Sequence, residues 1–276
     1  SWGRKDLFEP LMRVFNLQQL MPAEQQEQIA EVYISAFLEA TLRGESGYLP
    51  LFRDHRRARE WLPDTIYLSQ YEDATTRPVS TYQEDINVAT TTLPGGAQAG
   101  ENLAVWRERL VNAKWGDMDN HAVYLGWDTD ALPATAYYAI QLPNRALTLT
   151  HNSILVFALA DANEDPTPET EDKGEKGPRE PIDLTVEVVD GAGEAARLPL
   201  SHFWFLQPQL AGQIGKAAFM SPLPASEVVF QHFEFPLAAL VAANPAFDPA
   251  SLAQVRFVFD RTRVGVVALD DIGFRD

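Results

Sequence analysis

The chain is 276 residues long, carries a net charge of −17 at pH 7 and contains no cysteine. Its length allows one large β domain or two domains, and 46% hydrophobic residues suffice for a sizeable core. The negative charge argues against nucleic acid and anionic membrane surfaces as partners, because binding to phosphate requires a basic surface. The lack of cysteine excludes disulfides, thiolate zinc sites and a cysteine nucleophile. The sequence contains no run of about 18 apolar residues, so no transmembrane helix is predicted.

Residues 1–75 are predicted to be a helical segment, in which the clearest helix spans Ala23–Leu42. Pro22 suits the first turn of this helix, and Gly44 suits its C-terminal cap. Apolar residues recur there at intervals of three and four, which predicts an amphipathic helix. They are Ile29, Val32, Tyr33, Ala36, Phe37, Ala40 and Leu42.

Residues 76–276 are predicted to form a mainly β domain, an antiparallel β-sandwich of the jelly-roll type. Short alternating runs separated by turn residues, with almost no helical periodicity between them, indicate this class. Strands are expected near Ser80–Thr92, Glu101–Val111, Ala122–Trp127, Ala136–Leu142, Ser153–Leu159, Leu184–Asp190, Ala196–Leu200, Val228–Phe235, Gln254–Asp260 and Val264–Phe274. One short helix is expected at Leu237–Ala243. Residues 163–181 are rich in proline, glycine and charge, which predicts a disordered acidic loop.

No catalytic constellation is found in this sequence. The nearest approach to a serine-hydrolase elbow is Gly44-Glu-Ser-Gly-Tyr48, which lacks the final glycine and follows a helix. A His-Glu-x-x-His zinc motif and a phosphate-binding loop are also absent from the sequence. The five histidines are scattered singly. We therefore predict no catalytic residue within this chain.

Two acidic pairs suggest a structural calcium ion. Glu84 and Asp85 are placed in the first predicted strand, and Asp270 and Asp271 in the last. First and last strands are neighbours in many sandwiches, which would gather the hard oxygen ligands that calcium prefers. The predicted metal ligands are Glu84, Asp85 and Asp270. Alternatively, these carboxylates accept hydrogen bonds from backbone N–H groups or pair with arginines, namely Arg256, Arg261 and Arg263.

A second group of residues suggests a bound glycan. Trp115 lies in an irregular stretch, residues 112–120, where packing explains it least, and tryptophan can stack on the apolar face of a sugar ring. Asp117, Asp119 and Asn120 in the same stretch could hydrogen-bond sugar hydroxyls, and loops on a sandwich rim commonly carry binding sites. These four residues are the predicted ligand-binding site.

The last third of the chain resembles a known family. The runs Phe230-x-His-Phe-Glu-Phe-Pro-Leu, Val255-Arg-Phe-Val-Phe-Asp and Gly265-Val-Val-Ala-Leu-Asp-Asp-Ile-Gly-Phe274 are similar to the closing strands of galactose-binding-like jelly rolls. That fold is shared by many carbohydrate-binding modules. In those modules an acidic residue at the Leu-Asp-Asp-Ile position often joins one from the first strand around a structural calcium. The resemblance implies Asp270 with Glu84 or Asp85 here.

The beginning of the chain resembles another family. Pro22-Ala-Glu-Gln-Gln, Tyr33-Ile-Ser-Ala-Phe-Leu-Glu-Ala-Thr-Leu and Gly47-Tyr-Leu-Pro-Leu-Phe are similar to the last helix of secreted bacterial α/β-hydrolases of the dienelactone-hydrolase and polyester-hydrolase kind. In such enzymes this helix follows the catalytic histidine. The resemblance implies that a serine nucleophile, an acid and that histidine would lie upstream, outside this chain.

Together these features predict the non-catalytic C-terminal region of a larger hydrolase. Its jelly-roll domain would bind carbohydrate or stabilise the enzyme, with the upstream hydrolase domain as its partner and an extracytoplasmic or secreted location. Two alternatives remain open, a stand-alone lectin-like protein and a purely structural spacer.

Overall fold

The computed structural model describes residues 20–72, 74–113, 116–131, 134–144, 146–166, 180–212, 215–216 and 226–276. The chain divides into two compact units. The first contains residues 1–71 and 210–227, and the second contains residues 72–209 and 228–276. Most of the predicted disordered acidic loop, residues 167–179, lies outside the described residues.

The first unit is helical in its described part. Helix α1 spans Ala23–Leu42, as predicted, and helix α2 spans Leu49–Arg53, with short 3-10 helices at Ser46–Tyr48 and His55–Ala58. A small core forms where three buried residues meet partly buried neighbours. The buried residues are Ala36, Leu51 and Ala58, and the neighbours are Val32, Tyr33, Phe52 and Leu62.

The predicted apolar stripe of α1 is only partly correct. Ala36 is buried, but Phe37 is 55% exposed and Leu42 is 77% exposed. Ile34 and Leu38 are exposed as well, so the C-terminal half of α1 presents an apolar surface. The spacing of apolar residues predicted the helix correctly but not which of its faces is buried.

The second unit is an antiparallel β-sandwich, which confirms the predicted fold class. Its strands are β1 Arg77–Ser80, β2 Ala97–Glu101, β3 Val105–Ala113, β4 Gly116–Asp128, β5 Ala136–Gln141, β6 Ile154–Asp161, β7 Thr185–Asp190, β8 Ala195–Pro199, β9 Gln231–Pro236, β10 Leu252–Phe259 and β11 Val264–Arg275. One sheet has the order β3-β4-β11-β6-β9, with β1 also paired to β11. The other has the order β2-β5-β10-β7-β8. Helix α3 spans Leu237–Ala243, as predicted.

Aromatic side chains fill the space between the two sheets. Phe157 of β6 contacts Phe233 and Phe257 with ring centroids 5.6 and 5.0 Å apart, respectively. Trp127 stacks on Phe259 at 4.3 Å. All of these rings are buried, which accounts for much of the stabilisation, since each aromatic removes a large apolar area from water.

Two predicted segments are wrong. Strand β1 ends at Ser80, so the segment to Thr92 that was predicted as strand is a loop. Tyr82 has a φ of 57°, a left-handed conformation that cannot continue a strand. Of the stretch 112–120, predicted as an irregular loop, residues 112–113 belong to β3 and residues 116–120 to β4, and Ala113 lies opposite Gly116.

The first and last strands are neighbours, as predicted. Arg77 lies opposite Phe274, and Ser80 lies opposite Ile272. The register of β11 shifts between Asp270 and Gly273, and Asp271 within this bulge has a φ of 49°. Within the part of the chain that the structure describes, no helix is long and apolar enough to span a membrane.

Candidate functional site

Three rows of side chains cross the outer face of the five-stranded sheet. Because strand residues alternate between the two faces, the register places every second residue of neighbouring strands side by side. From β2 to β8 the first row is Ala97, Gln141, Gln254, Val189 and Ala195, the second is Ala99, Ala139, Arg256, Glu187 and Arg197, and the third is Glu101, Tyr137, Val258, Thr185 and Pro199.

The second row contains a cross-strand ion-pair network. Arg256 Nη1 donates to Glu187 Oε1 at 2.9 Å, and Arg197 Nε lies 2.7 Å from Glu187 Oε2. Arg256 also donates to Gln254 Oε1, from Nε at 2.8 Å and from Nη2 at 2.6 Å. The Glu187 side chain is only 8% exposed. Arg256 is therefore held in one orientation from two sides, which reduces the entropy it would lose on binding a ligand.

Tyr137 adds an aromatic ring to this face. The Arg256 guanidinium lies 5.6 Å from the ring centroid, within cation–π range. A hydrogen bond to the Glu101 carboxylate is the main reason that the pKa of Tyr137 is raised. Its neighbours in the second row, Ala99 and Ala139, have short side chains, so the partly exposed ring is the largest apolar group on this part of the face.

This arrangement is missing from the predicted site residues, although the sequence contained a signal for Tyr137. The β5 sequence Ala-Tyr-Tyr-Ala-Ile-Gln places Tyr138 in the core and Tyr137 on the opposite face. Tyr138 is buried, and Tyr137 is partly exposed. Its association with Arg256 and Glu187 depends on the strand order, which the sequence alone does not supply.

The predicted acidic residue Asp270 lies in a different place, on β11. The residue is 1% exposed. Its Oδ2 accepts a hydrogen bond from Asn120 Nδ2 at 2.8 Å, and its Oδ1 accepts one from the backbone N–H of Asp271 at 2.8 Å. Burial, reinforced by the nearby charge of Asp271, raises the pKa of Asp270 to about 7. The Asn120 side chain is thus oriented by a buried carboxyl group.

Asn120 also connects three elements of the sandwich. Gln83 Nε2 donates to Asn120 Oδ1 at 2.7 Å, so the loop after β1, strand β4 and strand β11 share one hydrogen-bond chain. Burial also raises the pKa of Glu108 on β3, to which Glu84 and Asp85 add their charges while His121 opposes them. Sequence reasoning missed Gln83, Glu108 and His121.

Glu84 and Asp85 have structural partners within their own loop. Glu84 Oε2 accepts from Thr92 Oγ1 at 2.8 Å, and Asp85 Oδ1 accepts from the backbone N–H of Asn87 at 2.6 Å. Among the described residues, no three acidic or histidine side chains are grouped closely enough to hold a metal ion. The calcium site at Glu84, Asp85 and Asp270 stays a prediction.

The three arginines that were the alternative partners have acidic partners of their own. Arg256 pairs with Glu187, Arg261 lies 3.7 Å from Asp183, and Arg263 lies 3.2 Å from Asp130. Asp270 instead accepts hydrogen bonds from the Asn120 amide and the Asp271 backbone N–H, the second of which is the backbone contact expected as an alternative to calcium.

Only some of the glycan-binding residues predicted within residues 112–120 lie in the part of the chain that the structure describes. Trp115 lies outside the described residues. Asp117 and Asp119 belong to β4, and Asp119 is exposed. Asn120 is half-buried, and its amide is engaged by Gln83 and Asp270. The structure therefore gives Asn120 a role in joining the loop, β4 and β11.

Comparison with known proteins gives similarity only at the level of solved structures. No protein-family model matches the chain, and no curated protein matches it. A family 30 carbohydrate-binding module is 17% identical over 60% of this chain and 72% of that one, with a TM-score of 0.39. The family 11 module from Clostridium thermocellum, in complex with a β-1,3-1,4-mixed-linked tetrasaccharide, is 8% identical over 74% of this chain and 97% of that one, with a TM-score of 0.39. An exo-β-agarase is 8% identical over 72% of this chain and 25% of that one, with a TM-score of 0.42.

Proposed function

We propose that the sandwich is a carbohydrate-binding accessory domain and that the outer face of its five-stranded sheet binds the sugar. The observation that carries this proposal is the partly exposed Tyr137 ring set between the Glu101 carboxylate and the immobilised guanidinium of Arg256. A sugar ring has an apolar C–H face and a rim of hydroxyl groups. An aromatic ring flanked by fixed donors and acceptors matches both.

The two outer faces of the sandwich differ in a way that favours this choice. The outer face of the six-stranded sheet carries buried small and apolar residues, and these form a second apolar cluster. Its members include Ala122, Tyr124, Ala158, Ala160, Val266 and Ala268, all at most 1% exposed. The outer face of the five-stranded sheet instead carries arginine, glutamate, glutamine and tyrosine side chains that reach the surface.

The proposal extends to the protein of which this domain is a part. We propose that the chain is the non-catalytic C-terminal region of a larger α/β-hydrolase that acts outside the cytoplasm, which rests on the similarity of residues 22–52 to the last helix of such enzymes. The exposed Ile34, Phe37 and Leu42 of α1 support this, since an apolar helix surface favours contact with a further domain. Ester hydrolysis by the purified chain, abolished by one substitution within it, would sink this part.

The substitution Tyr137→Ala tests the sugar-binding proposal. Binding of the full chain to a glycan array and to its best ligand by titration calorimetry should weaken about tenfold, since an aromatic contact contributes up to about 1.5 kcal/mol. Tyr48→Ala, which removes an exposed tyrosine from the first unit, is the control and should leave binding unchanged.

The alternatives give different results in the same experiment. A structural spacer binds no glycan on the array, and its melting temperature does not change when a chelator is added. A stand-alone lectin-like protein binds glycan without any hydrolase sequence in its reading frame. Binding that persists undiminished in Tyr137→Ala would show that the outer face of the five-stranded sheet is not the binding site.

A further inference from the structure

The charges in the second row of the outer face of the five-stranded sheet do not balance. Arg256 and Arg197 both pair with the single carboxylate of Glu187, at 2.9 and 2.7 Å. Within the described part of the chain, no other acidic group forms an ion pair with either arginine. Two positive charges therefore share one negative charge, and the second row carries one uncompensated positive charge in a protein whose net charge is −17.

The uncompensated charge is accessible. The Arg197 side chain is 52% exposed on the edge strand β8, and the Arg256 side chain is 32% exposed on the central strand β10. Glu187 is 8% exposed, so a ligand approaching the face meets the arginines before the carboxylate that orients them. Guanidinium groups form two parallel hydrogen bonds with a carboxylate, a geometry that lysine cannot reproduce.

The two sides of this face also differ in charge. Glu101 beside Tyr137 lies on the β2 and β5 side, and Arg197 lies on β8. Three strand spacings separate β5 from β8, which is roughly 14 Å and long enough for a short oligosaccharide laid across the strands. The Glu101 side accepts hydrogen bonds from neutral hydroxyl groups, whereas the Arg197 side attracts an anion.

We propose that this face selects glycans that carry carboxylate groups, with a uronic acid residue at Arg197 and a neutral sugar face on Tyr137. This inference rests on the proposed sugar-binding function and specifies its substrate class. Arg197 supplies the specificity for the carboxylate, assisted by Arg256, and Tyr137 supplies the stacking contact that any pyranose can use.

Matched oligosaccharide pairs that differ only at C6 test the inference. The β-1,4-linked glucose hexamer and the α-1,4-linked galactose hexamer are each compared with the corresponding oligouronate by titration calorimetry on the full chain. The wild type should bind the uronate of its preferred pair about fivefold more tightly, because an exposed ion pair contributes up to about 1 kcal/mol.

Substitutions at the ion-pair network sharpen the test. Arg197→Gln should reduce the uronate preference to within about twofold, while Arg197→Lys keeps part of the preference. Glu187→Gln removes the shared carboxylate and should increase the preference, which gives a change of opposite sign should Arg197→Gln fold poorly. Arg57→Gln, an exposed arginine of the first unit, is the control and should change nothing.

The outcomes separate the inference from the function on which it rests. Equal binding of neutral and acidic hexamers, lost in Tyr137→Ala, overturns the uronate preference and keeps the sugar-binding face. A preference that survives unchanged in Arg197→Gln overturns the assignment of the carboxylate contact to that residue. No binding to either member of either pair, together with an empty glycan array, overturns the proposed function as well.

Discussion

Replacing Asp270 by asparagine should stabilise the protein at alkaline pH, contrary to the usual result for a buried polar residue. The carboxyl group is 1% exposed, and its pKa is about 7 in the folded protein against 3.8 for an ordinary aspartate. The folded state therefore holds the proton more tightly than the unfolded state does. Stability contributed by this group is greatest at low pH and falls as the pH rises between these two values.

The magnitude follows from the size of the shift. At about 1.36 kcal/mol for each pKa unit, the raised pKa of Asp270 destabilises the folded protein by at most about 4 kcal/mol at pH 8 and by less than about 2 kcal/mol at pH 5, where the folded protein keeps the proton. Asparagine removes this cost. It keeps one acceptor for the Asp271 N–H but turns its amide toward the Asn120 amide, which loses a hydrogen bond of about 1 kcal/mol. We expect a net gain of about 2–3 kcal/mol at pH 8 and a gain near zero at pH 5.

Denaturant unfolding of wild type and Asp270→Asn measures the gain in the free energy of unfolding at pH 5 and at pH 8. Asp130→Asn, at a surface aspartate with a 61% exposed side chain, is the control and should show the pH dependence of the wild type. If Asp270→Asn is no more stable than wild type at pH 8, and its stability changes with pH as steeply, the assignment of a destabilising buried charge to Asp270 is refuted.

Three further predictions concern the metal, the rim and the core. Calcium bound at Asp270 should raise the melting temperature by several degrees relative to EDTA, and Asp270→Asn should abolish the rise; equal melting temperatures in calcium and EDTA would retire the calcium site. Trp115→Ala should weaken glycan binding in calorimetry if the rim takes part in the site as the sequence predicts, whereas an unchanged affinity beside a loss in Tyr137→Ala would assign binding to the sheet face alone. Gly265→Ala would place a methyl group 2.8 Å from the buried Trp127 ring and should cost about 1–3 kcal/mol in chemical denaturation, whereas at Gly191 the nearest atom would be 3.4 Å away and alanine should cost less; equal costs would contradict this packing argument.

Much of the fold was predictable because strand alternation and helix spacing are local properties. The predicted helices Ala23–Leu42 and Leu237–Ala243 match the observed bounds, and the last strand was placed within one residue. The strand prediction for Ser80–Thr92 failed because side-chain hydrogen bonds hold this segment as a loop. Thr81 N–H donates to Thr92 Oγ1 at 2.9 Å, a contact that closes the loop.

The candidate site was less predictable because it depends on register. Glu101, Tyr137, Arg256 and Glu187 come from four strands that are distant in sequence, and only the order β2-β5-β10-β7 brings them side by side. Asp270 shows the same limit. The pairing of β1 with β11 was predictable from the neighbourhood of first and last strands, but Asn120, the partner of Asp270, comes from β4, which also pairs with β11.

The Arg256–Glu187–Arg197 network and the Asp270 carboxyl group differ in how their charges are compensated. Arg256 and Arg197 are partly exposed and both pair with the buried Glu187, so the arginine charges cost little and remain available to a ligand. Asp270 is buried with hydrogen bonds, and among the described residues no basic side chain forms an ion pair with it. A cost of about 4 kcal/mol at pH 8 is a large fraction of the roughly 5–15 kcal/mol that stabilises an ordinary domain. Two conditions relieve that cost, a pH below 7 and a bound cation, and both act through the same carboxylate. Measuring the stability of wild type and Asp270→Asn at pH 5 and pH 8, with calcium and with EDTA, separates them: a proton effect depends on pH alone, whereas a cation effect persists at pH 8 only in calcium.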